Sequence, residues 1–317
     1  MSGTPAPDHT LDASDAHVHY EWDNSLDPVL TVDPGEVVEF VCRDAADGAF
    51  GPDSTVDDLT SREFPGHPLT GPVAVRGAEP GDVLEVELLD FEHHGWGVTY
   101  FYPGDRGMGL LPEEFPEGGM HWWDLDGGVG RFVEGIEVPL DPFPGNLGCA
   151  PAETGAHSTT PPRRVGGNLD VKHLTEGATL SLPVECPGAL FSIGDCHGAQ
   201  GDGEVCVTGI EAPMDVTVRF DVRSDRSVEH PEFRTTGPFT PTGRDEPMYG
   251  TTGVADDLLE ATRLAVSHMV DHLHTDRGLT RAEAYMLCSV AVDCKVSEVV
   301  DAPNWVVSAY LPESLFP

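Results

Sequence analysis

The 317-residue chain predicts a mainly β protein, with β-sandwich or barrel-like core units and a smaller C-terminal α+β part. Three observations carry this. Val83-Leu-Glu-Val-Glu-Leu-Leu-Asp-Phe91 alternates apolar and acidic residues with period two, the pattern of a half-buried strand. The 36 Gly and 28 Pro divide the first two thirds into short runs at the spacing of sandwich or barrel strands. Helical periodicity begins only near residue 254.

The elements follow in order. Val29-Leu-Thr-Val-Asp-Pro-Gly-Glu-Val-Val-Glu-Phe-Val-Cys42 predicts a strand, an Asp-Pro-Gly turn and a second strand. Short runs at 132–138, 178–184, 205–210 and 214–222 predict further strands. Residues 95–130, rich in Gly, Trp, Tyr and Phe, have little periodicity, and two readings stand there: an insertion or a lid. A stretch at 223–253 with His230-Pro, Gly237-Pro and Thr240-Pro-Thr-Gly is expected to connect a β-rich region, 1–222, to a C-terminal α+β segment, 254–317. In that segment Leu258, Ala261, Ala265, Met269 and Leu273 predict a helix over Val254–Leu273. Thr280 and Glu283 have the spacing of a capping box opening a second helix. Ala291–Ser297 and Trp305–Leu311 are expected as closing strands.

Charge narrows the function class. The formal charge of −38 comes from 30 Asp and 25 Glu against 15 Arg and 2 Lys. Such a field repels nucleic-acid phosphates. Self-repulsion on this scale is screened by salt, so the scarcity of Lys points to a salt-rich cytoplasm. Residues 1–16 have neither the basic start nor the apolar core of a secretory signal. No apolar run approaches the roughly 20 residues of a membrane helix. The seven Cys are odd in number and lack CxxC pairs, which suits reduced, buried thiols in the cytoplasm.

The densest chemistry lies at 191–204, Phe-Ser-Ile-Gly-Asp-Cys-His-Gly-Ala-Gln-Gly-Asp-Gly-Glu. An apolar run delivers the chain to Asp195, His197, Gln200, Asp202 and Glu204, with glycines between them that tolerate positive φ. Residues 205–210 read as a strand leading away. Asp195 and His197, at i and i+2, face one side of an extended segment and can share a divalent ion. Glu204 is placed to move a proton, and Asp202 to ligate or to orient. A Gly-rich turn held by Asx hydrogen bonds, with a surface His, fits the spacing equally well. Gly166-Gly-Asn-Leu-Asp170 sets Asn168 and Asp170 in alternation, suited to an oxyanion donor and a further ligand, or to an ordinary hairpin turn.

These residues resemble the acetamidase/formamidase family, which carries Gly-Asp-x-His-Ala-x-Gln-Gly-Asp-Gly-Glu at this place; the chain departs at Gly198, where Ala is usual. Thr70–Leu89, Gly166–Asp170, Thr251-Thr-Gly253, Glu283–Leu287 and Val300–Pro303 are similar to further blocks, so the resemblance spans about Val29 to Pro312. It implies hydrolysis of the C–N bond of small linear amides to carboxylate and ammonia, in a homo-oligomer. It does not assign each role; the residues themselves suggest a divalent metal, Zn before Mn, Ca or Fe, held by Asp195 and His197 with Asp170, Asp202 or Asp44 completing the set. Glu204 is then the acid/base, Asn168 and Gln200 orient substrate, and Gly201 and His94, the latter before a Gly-Trp-Gly like the family's, border the pocket. Asp44 enters because the family has an Asp there; a strand-end turn is its ordinary reading.

Other arrangements carry less. His17 and His19 lie at the chain's edge, and His268 and His272, one helical turn apart, read as rim histidines. Cys196 points away from its neighbours on alternating geometry. Amidases with a Ser-Ser-Lys or Cys-Glu-Lys arrangement need a lysine, and neither Lys172 nor Lys295 lies in a sequence like theirs. Two alternatives stay open: another amide or cyclic C–N substrate, motivated by the 95–130 region, and a non-catalytic binding or scaffold protein with a degenerate loop.

Overall fold

Two six-stranded sheets face each other across the core. The structure, a computed structural model, describes residues 4–236, 247–300 and 302–316. One sheet runs in the order His9–Leu11, Val37–Cys42, Met214–Arg223, Val83–His93, Thr179–Pro183, Glu232–Arg234. It is antiparallel except for its first pair. In Val83–His93 the alternation read from the sequence holds, with Val86 and Leu88 buried and Glu85 and Glu87 half-buried. The second sheet orders Gly166–Asn168, Phe143–Gly148, Phe191–His197, Leu69–Val75 and Val18–His19, and Leu30–Val32 adds to Leu69–Val75 in parallel. Phe40 and Phe220 of the first sheet meet Phe191 of the second edge-to-face, with centroids 6.0 and 5.2 Å away. Such pairs contribute about 0.5–1.5 kcal/mol beyond burial, so the strand carrying Asp195 and His197 is anchored at its start.

Residues 95–139 are more regular than their composition suggests. Trp96–Phe101, Gly119–Asp126, Val129–Arg131 and Glu137–Pro139 form a four-stranded antiparallel meander. The expected strand at 132–138 is a 3-10 turn, Val133–Gly135, followed by the short Glu137–Pro139. Residues 205–210 are not a strand either. Glu204 and Val207 take positive φ, +42° and +88°, and the segment runs as linked turns under the C-terminal helices.

The C-terminal part is a three-stranded sheet, Met248–Ala255, Trp305–Pro312 and Asp293–Glu298 with Trp305–Pro312 central, covered by a helix. That helix spans Leu258–Arg277, not Val254–Leu273, because the strand Met248–Ala255 occupies its expected start. Asp257 caps it by accepting from the Glu260 N–H at 2.9 Å. Its buried face is Ala261, Ala265, Val266, Met269, Val270 and Leu273, while Leu258 is exposed. Gly253 permits close seating, since a Cβ there would stand 1.9 Å from the Ala261 carbonyl oxygen. The second helix, Arg281–Ala291, opens on the expected Thr280/Glu283 capping box. Within 223–253 the described residues hold the strand Glu232–Arg234 and most of Met248–Ala255, and 237–246 lie outside them, as does 301 of the Val300–Pro303 block. Among the described residues no helix is long and apolar enough to cross a membrane.

Candidate active site

The site is assembled at the end of the Phe191–His197 strand. Asp195 and His197 belong to the strand itself and not to the loop after it, and they converge with His197 Nε2 3.8 Å from Asp195 Oδ1. Next to them the Phe143–Gly148 strand pairs with Phe191–His197 on one side and Gly166–Asn168 on the other. Leaving Gly166–Asn168, the chain turns through Asp170 at φ +48°, where the N–H groups of Leu169 and Asp170 both donate to the Gly145 carbonyl. Gly145 is what lets the acid and the imidazole meet. A Cβ there would lie 2.6 Å from Asp170 Oδ1 and 2.7 Å from His197 Cε1.

Two glutamates close the other side. Glu204 Oε1 stands 3.6 Å and Glu211 Oε2 3.0 Å from His197 Nε2. Glu211 is fixed by accepting the Gly209 N–H through Oε1 at 2.8 Å. The irregular chain carrying Glu204 is held by the second C-terminal helix. Tyr285 donates its hydroxyl to the Val205 carbonyl and accepts from the N–H groups of Leu110 and Leu111. Ser289 donates to the Thr208 carbonyl at 2.7 Å and accepts from Cys206 N–H at 3.1 Å.

Four carboxylates thus surround one imidazole in a buried space lined by no Lys or Arg among the described residues. Burial and the Asp195 charge push Asp170 up to about 7, and burial with Asp195 pushes Glu211 up to about 8. Burial and then Asp170 raise Glu204 well above the carboxylate range. Burial disfavours the charged form of His197, yet Glu211, Asp195 and Glu204 outweigh it and raise the ring well above its ordinary value. The excess negative charge invites a cation. Asp170, Asp195 and His197 form one set of donors within 4.8 Å of one another, and His197, Glu204 and Glu211 a second. Asp170 Oδ1 and His197 Nδ1 are buried without a hydrogen-bond partner among the described residues, which fits a divalent ion.

The remaining sequence candidates fall into two groups. Asn168 and Gln200 reach the site through Asp170: Asn168 Nδ2 donates to Asp170 Oδ2 at 2.8 Å, and Gln200 Nε2 donates to the Asp170 carbonyl at 3.0 Å. Their amide oxygens have no partner among the described residues. Asp202, Gly201, Asp44 and His94 are not brought to the carboxylate–imidazole cluster. Asp202 faces Lys172 and His173 at 3.9 and 4.0 Å, and Lys172 also pairs with buried Asp293, so this cluster ties the chain after Asp170 to the Glu204 loop and the C-terminal sheet. Lys295 reaches the same Asp293 at 3.9 Å, so both lysines of the chain serve one buried carboxylate. Gly201 is a packing residue, since a Cβ would lie 2.1 Å from the Val292 carbonyl oxygen. Asp44 accepts the N–H groups of Ala46 and Gly48, the strand-end turn of its ordinary reading. His94 is exposed and pairs with Asp215 at 2.9 Å.

Gly198 leaves His197 undisturbed. Its φ is not positive and a methyl group would meet only ordinary contacts of 3.4–3.6 Å, so the structure accommodates the family's Ala there as well. Cys196 is fully buried, as alternation requires. His268 contacts the Thr252 carbonyl and His272 pairs with Asp276, both away from any shared ion. His17 pairs with Asp12, and His19 binds Ser192 Oγ at 2.8 Å.

Sequence reasoning missed Glu211, His67, Tyr100 and Thr208, which line the cavity with Ala45, Asn168, Asp195, Glu204 and Val207. His67 Nε2 lies 3.9 Å from Asp195 Oδ2. Glu211, just past the apolar run that ends at Ile210, gave no signal of burial, because an acid at the end of such a run is ordinarily exposed, as Asp90 is. His67 and Tyr100 sit in unrelated segments and carried none.

Comparison with known proteins follows the same outline. The profile of the acetamidase/formamidase family matches residues 6–158 and 152–317. The formamidase of Methylophilus methylotrophus is 27% identical over 95% of this chain and 90% of its own. A solved γ-lactamase from Delftia acidovorans superposes with a TM-score of 0.89 at 28% identity, covering 97% of this chain and 93% of its own. An acetamidase from Bacillus halodurans gives 0.67 at 30%, covering 96% and 97%.

Proposed function

The chain belongs to the acetamidase/formamidase family and is an amide hydrolase, and on that premise we propose that it converts a small linear amide and water to carboxylate and ammonia at the Asp170/Asp195/His197/Glu204 cluster. The observation that carries this is the convergence of four carboxylates on one buried imidazole beside a cavity of about 40 Å³. At roughly 10–15 Å³ per water that space suits an amide of formamide or acetamide size.

Asp170, Asp195 and His197 are the residues that would hold a divalent ion, Zn first, with Mn, Ca or Fe compatible with the same oxygen and imidazole donors. Bound there, the ion supplies Lewis acidity toward the carbonyl and toward water, and a charge that favours the ionised carboxylates. Glu204 takes the proton from water as its oxygen adds to the amide carbon. The same carboxyl then gives a proton to the nitrogen as the C–N bond breaks, since an unprotonated nitrogen is a poor leaving group. Glu211 opposes His197 and sets its charge. Asn168 and Gln200 hold Asp170, and Asn168, which lines the cavity, has a free amide oxygen suited to a substrate N–H.

The test is ammonia release from formamide and acetamide in multimolar KCl, before and after chelation. Activity that vanishes with chelation and returns with one divalent ion is expected. No ammonia from folded, metal-replete protein overturns the reading. The likeness to the Delftia γ-lactamase favours a second reading, hydrolysis of a small cyclic amide, which releases no ammonia; formation of the ring-opened amino acid from a lactam, followed by chromatography, separates the two. The charge of −38 with 2 Lys supports work in a salt-rich cytoplasm. Exposed Val254, Leu259, Val296, Val299 and Val300 support the expected homo-oligomer, which sedimentation in high salt tests.

A further inference from the structure

The lining of the small cavity is mostly polar, from His67, Asn168, Asp195, Glu204, Thr208, Glu211 and the Tyr100 phenol, and Ala45 and Val207 are its two apolar residues. Val207 is unusual because a β-branched residue stands at φ +88°, where its Cβ crowds the backbone. The surroundings over-determine this conformation. Val207 N–H donates to the Glu204 carbonyl at 2.9 Å, Ser289 holds the residues on either side of it, and Thr208 exchanges hydrogen bonds with both backbone groups of Tyr100. Glycine would adopt the same φ without strain. What valine adds is its isopropyl group, which packs with the Ala46, Phe50, Tyr100 and Tyr102 cluster at a position that lines the cavity.

We propose that Val207, backed by Ala45 and Tyr100, sets the size limit for the acyl substituent of the amide. The carbonyl and nitrogen face the polar lining, and the substituent on the carbonyl carbon faces Val207. A hydrogen or methyl group fits; a propyl group meets the valine side chain. The inference rests on the amide-hydrolase reading, and its test keeps the two apart.

The test compares kcat/KM for formamide, acetamide, propionamide and butyramide in the metal-replete full chain, its Val207→Gly variant and its Val207→Leu variant. Removing or adding a few methylene-sized groups in such a pocket shifts discrimination by about 10–200-fold. The butyramide-to-acetamide ratio is expected to rise at least about tenfold in Val207→Gly and to fall in Val207→Leu. Unchanged ratios in both variants overturn the proposal while the hydrolase reading stands. Should Val207→Gly fail to fold, the sign of the change in Val207→Leu decides alone. A wild-type chain that hydrolyses none of the four amides overturns the linear-amide reading and this proposal with it.

Discussion

Gly145→Ala adds one methyl group and removes no donor or acceptor, yet it is expected to separate the acid from the imidazole. The new Cβ would sit 2.6 Å from Asp170 Oδ1, 2.7 Å from His197 Cε1 and 2.9 Å from the Asp195 carbonyl oxygen. Comfortable contacts begin near 3.5 Å, so two proposed ligands must each retreat by roughly 0.8 Å. Metal sites hold their distances to about 0.2 Å. Overpacking itself costs about 1–3 kcal/mol, and losing the ligand geometry costs about 10–100-fold in metal affinity or activity. The assay is metal affinity by competition with a chelator, with thermal melting and amide turnover on the same samples. Gly198→Ala is the control, because its methyl group meets only contacts of 3.4–3.6 Å, and it should behave as wild type. Gly145→Ala with wild-type metal affinity and turnover would refute the reasoning that this glycine sets the approach of Asp170 to His197.

Further outcomes follow from the same geometry. Glu204→Gln should keep the fold and bound metal and lower kcat by about 10²–10⁴; an active variant removes the proposed acid/base. Lys172→Met leaves Asp293, which is 3% exposed, with Lys295 at 3.9 Å and the Asp202 N–H at 3.3 Å, and should lower stability by about 3 kcal/mol. Lys172→Arg should restore most of that loss in a denaturant titration, and equal destabilisation by both variants would argue against the ion cluster. In chelated protein, Asp170 and Glu211 keep protons to about 7 and about 8 that the unfolded chain loses near pH 4. The folded state therefore binds more protons between those limits, and stability should fall as pH rises from about 4 to 8, by up to about 1.4 kcal/mol per pH unit for each such proton. Asp170→Asn should flatten that slope, and a melting temperature indifferent to pH in chelated wild type would contradict the raised values.

Much of this was legible before any coordinates. Asp195 and His197 were readable as a pair because period-two alternation puts i and i+2 on one face; in the structure Asp195 takes φ +55° within the strand, so a local irregularity and not regular alternation accompanies their convergence. The Thr280/Glu283 box and the burial of Cys196 were local matters of the same kind. The strand expected at 205–210 failed because its apolar residues pack into turns under Tyr285 and Ser289, where tertiary hydrogen bonds override β propensity. The helix start at Leu258 shifted because pairing of Met248–Ala255 with Trp305–Pro312, a partner 50 to 64 residues on, claimed the preceding residues. Asp44, Asp202 and His94 were plausible by residue type and neighbourhood, and in the structure their side chains pair elsewhere, while Gly201 packs against the Val292 carbonyl.

By itself the sequence determined the β-rich class with its α+β end, the acidic character, the family and the Asp195–His197–Glu204 kernel, because these depend on composition, short periods and contiguous motifs. Only the tertiary structure decided that Glu211 and His67 join that kernel, that Gly145 makes room for Asp170, that Val207 lines the cavity, and that both lysines serve Asp293. Each of those relations links residues brought together by sheet pairing or helix packing from distant parts of the chain, and no local pattern encodes a distance between segments that meet only when the core closes.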